Sequence, residues 1–82
     1  MIPYGSGELP EASRRKIENF DPTSGVLFSV REVAALLSVS TRTVGRMIDD
    51  GRLQAFRIGG TRLRIPAGSI AKVMQETGGG SL

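Results

Sequence analysis

Arginine is the residue type whose number and spacing in this 82-residue chain suggest a specific chemistry. The segment 42–64 contains six arginines: Arg42, Arg46, Arg52, Arg57, Arg62 and Arg64. With its two aspartates the segment has a net charge of +4, and the whole chain has a net charge of +3. A guanidinium group makes paired hydrogen bonds to a phosphate or to the edge of guanine. A solvated basic face is the alternative interpretation, but the concentration of arginine favours contact with a nucleic acid.

Other kinds of site have little support in the composition. The chain contains no cysteine and no histidine, which excludes thiolate and imidazole metal ligands and the usual nucleophile–base pairs of hydrolases. Asp49 and Asp50 are adjacent carboxylates without a third acidic ligand nearby in the sequence, so catalysis is disfavoured. We expect Asp50 to help end a helix and Asp49 to pair with an arginine or repel misplaced phosphate. The sequence predicts no enzyme, no metal and no cofactor.

Two short helices joined by a tight turn are predicted to position the first arginines. The first begins after Ser29, which has the capping-box spacing to Glu32, and it buries one apolar stripe: Val30, Val33, Ala34 and Leu37. The second is capped by Ser40, runs to about residue 50 and stops at Gly51. Its inward face consists of Val44, Met47 and Ile48. Arg42 and Arg46 are four residues apart and project together from the outer side, which suits entry into the major groove.

A β-hairpin is predicted to carry the remaining arginines. Its strands cover roughly residues 55–58 and 62–65, and the Gly59-Gly60 pair marks the turn. Alternation along the second strand puts Leu63 and Ile65 on one face, and Arg62 and Arg64 on the other. Residues 26–28 are a candidate first strand, and a last helix is predicted after the proline at 66, over about residues 67–76.

The remaining residues are predicted to form an arm and a tail around a domain at residues 26–76. Residues 1–25 form a flexible arm, in which 11–20 are either a short packed helix or a mostly disordered segment. Ile17 and Phe20 would share one face of that helix and are candidates for self-association. Residues 77–82 form a flexible tail. The sequence has no membrane-length apolar run and no signal pattern, so we expect a cytoplasmic protein with no membrane partner.

Residues 28–66 resemble the small helix-turn-helix modules of the excisionase family, which are relatives of the MerR-type winged helix. The resemblance rests on the string REVAALLSVSTRTVGRMIDDGRLQAFRIGG followed by TRLRIP. It covers about half of the chain. It implies an α+β, mostly helical fold: a winged helix-turn-helix with three short helices and a β-hairpin wing.

The resemblance also implies the residues that contact DNA. Six of them, on the second helix, would contact the major groove: Ser40, Thr41, Arg42, Thr43, Gly45 and Arg46. Five others, on the wing, would contact the minor groove or the phosphate backbone: Arg57, Gly60, Thr61, Arg62 and Arg64. The chain departs from the family at Gly45, where a large aromatic or polar residue is frequent. Glycine within a helix costs about 1 kcal/mol relative to alanine. This departure is explained either by drift at an exposed position or by a need for close approach to DNA.

Proteins of this family commonly bind beside an attachment site, bend the DNA and direct a tyrosine integrase towards excision of a mobile element. We expect the same role here, in a bacterial or phage-encoded protein associated with the nucleoid. A single module buries only about 600–1,000 Å² on DNA, so several copies are expected to bind direct repeats head to tail. Two alternatives stay open: a transcription regulator that uses the same module, and a module that binds another protein.

Overall fold

The computed structural model describes residues 9–80, with side chains described for residues 9–76; the predictions for residues 1–8 and 81–82 lie outside the described residues. The chain forms α1 (Glu11–Glu18), β1 (Leu27–Phe28), α2 (Val30–Leu37), α3 (Thr41–Asp49), β2 (Phe56–Ile58), β3 (Arg62–Pro66) and α4 (Ala67–Gly80). This arrangement confirms the α+β winged helix-turn-helix. The possible helix within residues 11–20 is formed as α1, which adds a fourth helix to the predicted three. The candidate first strand at residues 26–28 is formed as β1, and it makes the hairpin part of a three-stranded sheet.

The two helices of the helix-turn-helix begin at the predicted caps. Ser29 Oγ accepts a hydrogen bond from the Glu32 N–H, and Glu32 accepts one from the Ser29 N–H, which confirms the capping box. Helix α2 ends at Ser38, which takes a left-handed conformation with φ of 58°. Ser40 Oγ accepts a hydrogen bond from the Thr43 N–H and so caps α3. Helix α3 stops just before Gly51, whose φ is 79°.

The sheet is antiparallel, with strand order β1-β3-β2. In the β2–β3 ladder, Phe56 is opposite Arg64, and Ile58 is opposite Arg62. Directly opposed residues share a face of a sheet. Gly59 and Gly60 both have positive φ values, 66° and 86°, which permits the tight connection between these strands.

The hydrophobic core lies between the sheet and the helices. Its most deeply buried large side chains come from the sheet, the helices and the loop after α3: Phe28, Val33, Val44, Leu53, Ile65, Ile70 and Val73. In α3, Val44 and Met47 are buried, and Ile48 packs against the core. Helix α4 continues to Gly80, four residues past its predicted end at 76. Among residues 9–80, no helix has the length and apolar character needed to cross a membrane.

Helix α1 packs on the domain through a polar cluster around Glu32. Lys16 Nζ donates hydrogen bonds to Glu32 Oε1 at 2.8 Å and to the Leu27 carbonyl oxygen at 2.7 Å. The Ser13 hydroxyl donates a further hydrogen bond to Glu32. Phe20, just beyond the helix, stacks obliquely on Phe28 with ring centroids 5.7 Å apart. Of the two interpretations of residues 11–20, the structure therefore has the packed helix.

Candidate nucleic-acid interface

The outer surface of α3 carries most of the predicted major-groove residues. Thr41, Arg42, Thr43 and Arg46 are exposed, while Val44 and Met47 hold the opposite side of the helix in the core. Ser40 is half-buried, and its hydroxyl lies 3.0 Å from Thr43 Oγ1 in addition to accepting the Thr43 N–H. The two hydroxyls therefore define the first turn of α3. Arg42 lies in this first turn and Arg46 lies one turn farther along, and neither side chain is part of the cap.

The arginines of α3 are available to bind an external anion. Within residues 9–76, ion pairs link α1 to itself and to Glu32, and none involves Arg42 or Arg46. The expected pairing of Asp49 with an arginine is also absent from this part of the chain, whereas Asp50 does occupy the C-cap of α3. Cationic side chains four residues apart on an exposed helix repel one another. An anion placed between Arg42 and Arg46 would relieve that repulsion.

Gly45 leaves an open space on the same surface. A β-carbon built at this position would meet no atom within 4 Å outside the adjoining residues and the backbone of α3. Internal packing therefore does not require glycine here. Drift at an exposed position and a need for close approach to DNA are both compatible with the structure of the free protein. The two interpretations differ in whether a side chain at position 45 would obstruct a ligand of α3.

The β2–β3 wing brings together some of the predicted residues and separates others. Gly60, Thr61 and Arg62 lie exposed at its tip. Arg64 is half-buried, and its guanidinium donates a 2.8 Å hydrogen bond to the Leu63 carbonyl oxygen. Arg57 is opposite Leu63 in the ladder, so it lies on the other face from Arg62 and Arg64. One face of the wing thus carries two arginines, Arg62 and Arg64, and the other carries Arg57.

Two exposed apolar residues, which are not among the predicted DNA contacts, share the face of Arg62 and Arg64. Phe56 is 51% exposed and Ile58 is 47% exposed, opposite Arg64 and Arg62 respectively. The alternation of residues 55–58 contained the signal, because Ala55 packs against the core and Phe56 must then point away from it. We call this surface, formed by Phe56, Ile58, Arg62 and Arg64, the outer wing face.

Glu32 fixes the first helix of the helix-turn-helix against α1. Burial raises the pKa of this carboxyl, but hydrogen bonds from Lys16, Ser13 and the Ser29 N–H, together with the charge of Lys16, outweigh burial and leave the pKa below its ordinary value. Glu32 is therefore an ionised, buried group with several partners. Its role in the interface is indirect, since it holds the scaffold on which α3 is mounted.

A groove lies beyond the C-terminal end of α3. It has a volume of about 860 Å³, with Ile48, Leu53, Ala55 and Pro66 among its walls and Arg52 and Lys72 among its polar residues. No carboxylate is among the residues that line it. Paired carboxylates, one arrangement used in general acid–base catalysis, are therefore not found among these residues.

Comparison with known proteins agrees with this geometry. Residues 27–78 match the model of a family described as a helix-turn-helix domain. The chain is also 42% identical over 50 residues to the excisionase of Mycobacterium phage D29, an alignment that covers 61% of this chain and 89% of the phage protein. No solved structure matches the chain significantly. The relationship to MerR-type proteins stays a prediction.

The matched region contains α2, α3, the wing and most of α4. It therefore contains both arginine-bearing surfaces, on α3 and on the wing. The chain belongs to the excisionase-type helix-turn-helix family of DNA-binding proteins.

Proposed function

We propose that this protein is a DNA-binding excisionase, which binds beside an attachment site, bends the DNA and directs a tyrosine integrase towards excision of a mobile element. The observation that carries the proposal is the exposed side of α3, where Arg42 and Arg46 stand next to Thr41 and Thr43 without an ion pair inside residues 9–76. The likeness to a phage excisionase supports the excision role. Such a protein would act in the bacterial cytoplasm, on the nucleoid.

The proposed mode of binding uses both surfaces at once. Helix α3 enters the major groove, where Arg42 and Arg46 reach a guanine edge or flanking phosphates and Ser40, Thr41 and Thr43 supply short polar contacts. The wing tip at Gly60, Thr61 and Arg62 approaches the adjacent minor groove. With about four to six phosphates contacted, the affinity should fall steeply with salt, with a log–log slope of roughly −4 to −5.

Several copies are proposed to act together, because one small module holds a single site weakly. Head-to-tail contacts between copies on direct repeats do not close and so extend along the DNA. Phe20 packs against its own core, which leaves Ile17, half-buried on α1, as the stronger of the two predicted self-association residues. Replacement Ile17→Ser should then weaken cooperative binding to repeats more than binding to one site.

An excision assay with purified integrase and a supercoiled attachment-site plasmid tests the proposal. The double variant Arg42→Ala/Arg46→Ala should abolish both DNA binding and stimulation of excision. The matched control is Arg14→Ala/Arg15→Ala, which removes the same charge from the exposed side of α1 and should retain both activities. Retained excision in the first variant would refute DNA binding by α3. Tight binding by the wild type without any stimulation of excision would instead point to promoter regulation.

A further inference from the structure

The outer wing face combines features that soluble proteins usually keep apart. Strand β2 is an edge strand, since within residues 9–80 it pairs with β3 alone, and its Phe56 and Ile58 are about half exposed. Exposed apolar residues on an edge strand favour aggregation, and proteins normally avoid them. Here they alternate across the ladder with Arg62 and Arg64. Such a surface needs an occupant that offers apolar area and negative charge close together.

We propose that the outer wing face is the DNA-contacting side of the wing, and that Phe56 and Ile58 make apolar contacts in the minor groove. This inference rests on the proposed function, because it assumes that the wing approaches DNA at all. The minor groove is walled by deoxyribose rings and bordered by phosphates, so it offers both kinds of surface within a few ångströms. Phe56 and Ile58 would pack on the sugars or wedge against a base step, while Arg62 and Arg64 bind the bordering phosphates.

The register of the β2–β3 ladder indicates which face of the wing would contact DNA. Arg62 and Arg64 lie on the same face as the two apolar residues, whereas Arg57 lies on the face that leads to the core. The hydrogen bond from Arg64 to the Leu63 carbonyl oxygen holds part of its guanidinium and leaves other N–H groups for a phosphate. The outer wing face is therefore a two-strand surface with cations on one strand and apolar side chains on the other. Arg57 is assigned no groove contact.

The apolar contacts also supply a means of bending. Apolar side chains that enter the minor groove unstack a base step and kink the duplex by about 20–90°. The area available is half of one phenylalanine and half of one isoleucine side chain, which corresponds to roughly ten- to a hundredfold in affinity if it is buried. A loss of affinity of that size, on replacing residues that carry no charge, distinguishes apolar contact from phosphate contact.

Binding to a duplex of about 20 base pairs, labelled at its two ends with a donor and an acceptor dye, tests the inference. Fluorescence anisotropy gives the affinity as a function of salt, and energy transfer gives the bend. The variant Phe56→Ser/Ile58→Ser should bind about ten- to a hundredfold more weakly with an unchanged salt slope and a smaller bend. Arg64→Ala should reduce the magnitude of the slope by about one, whereas Arg57→Ala, the matched control on the opposite face, should change it much less. Circular dichroism should show all variants folded.

Each other outcome overturns a defined part of the proposal. Equal affinity and bend for wild type and Phe56→Ser/Ile58→Ser would refute apolar DNA contact. If that variant instead loses only cooperativity on a longer duplex, the outer wing face binds a protein. A larger effect of Arg57→Ala than of Arg64→Ala would assign DNA to the other face. Failure of the proposed function is separate, since wild type and the Arg42→Ala/Arg46→Ala variant would then bind the same duplex equally poorly.

Discussion

The cluster around Glu32 predicts an unusually large effect for one lysine on the surface of α1. Replacement Lys16→Met retains the aliphatic stem but removes the ammonium group, and with it the hydrogen bonds to Glu32 and to the Leu27 carbonyl oxygen. It also removes a cation 4.9 Å from the centroid of the Phe28 ring. Glu32 is only 6% exposed, so water cannot fully replace what is lost. The folded state is therefore destabilised.

The magnitude follows from the exposure of the two partners. A hydrogen bond to a charged group contributes about 1.5–3 kcal/mol, but the Lys16 side chain is 33% exposed and Glu32 retains its bonds from Ser13 and from the Ser29 N–H. We therefore expect a loss of about 2 kcal/mol in the free energy of unfolding. For a chain of this size, that loss corresponds to roughly 8–16 °C in Tm.

Arg15→Met on the same helix is the matched control. It breaks an ion pair with Glu11 at 3.2 Å, in which the side chains are 72% and 77% exposed. Solvent screens such a pair, and its loss should cost no more than about 0.5 kcal/mol. Urea unfolding followed by circular dichroism at pH 7 measures both variants. A loss for Lys16→Met no larger than that for Arg15→Met would refute the reasoning.

The pH dependence provides a second check. Because the pKa of Glu32 is lowered in the folded protein, its stabilising contribution is complete above the ordinary glutamate pKa of about 4.3 and is lost as the pH falls through the lower folded value. In Lys16→Met, burial remains while two lowering influences disappear, so the pKa of Glu32 is less depressed and the loss of stability in acid is smaller. The gap between wild type and Lys16→Met should therefore narrow in acid. A constant gap down to about pH 3 would show that Lys16 acts through its other contacts.

Three further substitutions should affect the helix-turn-helix in ways that unfolding and binding assays can separate. Gly45→Ala should stabilise the free protein by up to about 1 kcal/mol, since a β-carbon has open space there, and should weaken DNA binding if close approach of α3 requires glycine; tighter binding would favour drift. Ser38→Gly should stabilise the fold by about 1 kcal/mol, because φ of 58° is strained for serine. Urea unfolding measures this gain, and an unchanged free energy of unfolding would show that Ser38 is not strained. Ser40→Ala removes the cap of α3 and should cost about 1 kcal/mol; an unchanged midpoint would contradict this.

Local chemistry made the helix-turn-helix predictable. Ser29 with Glu32, Ser40 and Gly51 each act within a few residues of their own position, so their sequence spacing is sufficient to place the helix ends. The apolar stripes are equally local, and Val44 and Met47 are buried as expected. The hairpin was predictable for the same reason, because the glycine pair and the alternation around it lie in one short segment.

The features that the sequence did not predict depend on distant contacts or oppose local propensity. Glu32 was interpreted as a capping residue, yet it also binds Lys16, which is 16 positions away. No helical or strand period connects those two positions, so the packing of α1 stayed one of two alternatives. Helix α4 continues through the glycines at 78–80, whereas helix propensity weighs against each of them.

The proposed two-groove mode of binding requires α3 and the wing to keep a fixed separation, and the loop between them is built to maintain it. Leu53 is buried to 1% exposure, and its N–H donates a hydrogen bond to the Met47 carbonyl oxygen at 3.1 Å. The next N–H, that of Gln54, donates a 2.7 Å hydrogen bond to Ser69 Oγ on α4. The loop is thus attached to α3 on one side and to α4 on the other. Because the ends of this loop lead directly into the two elements proposed to contact DNA, we expect the DNA to adapt to the fixed spacing of α3 and the wing.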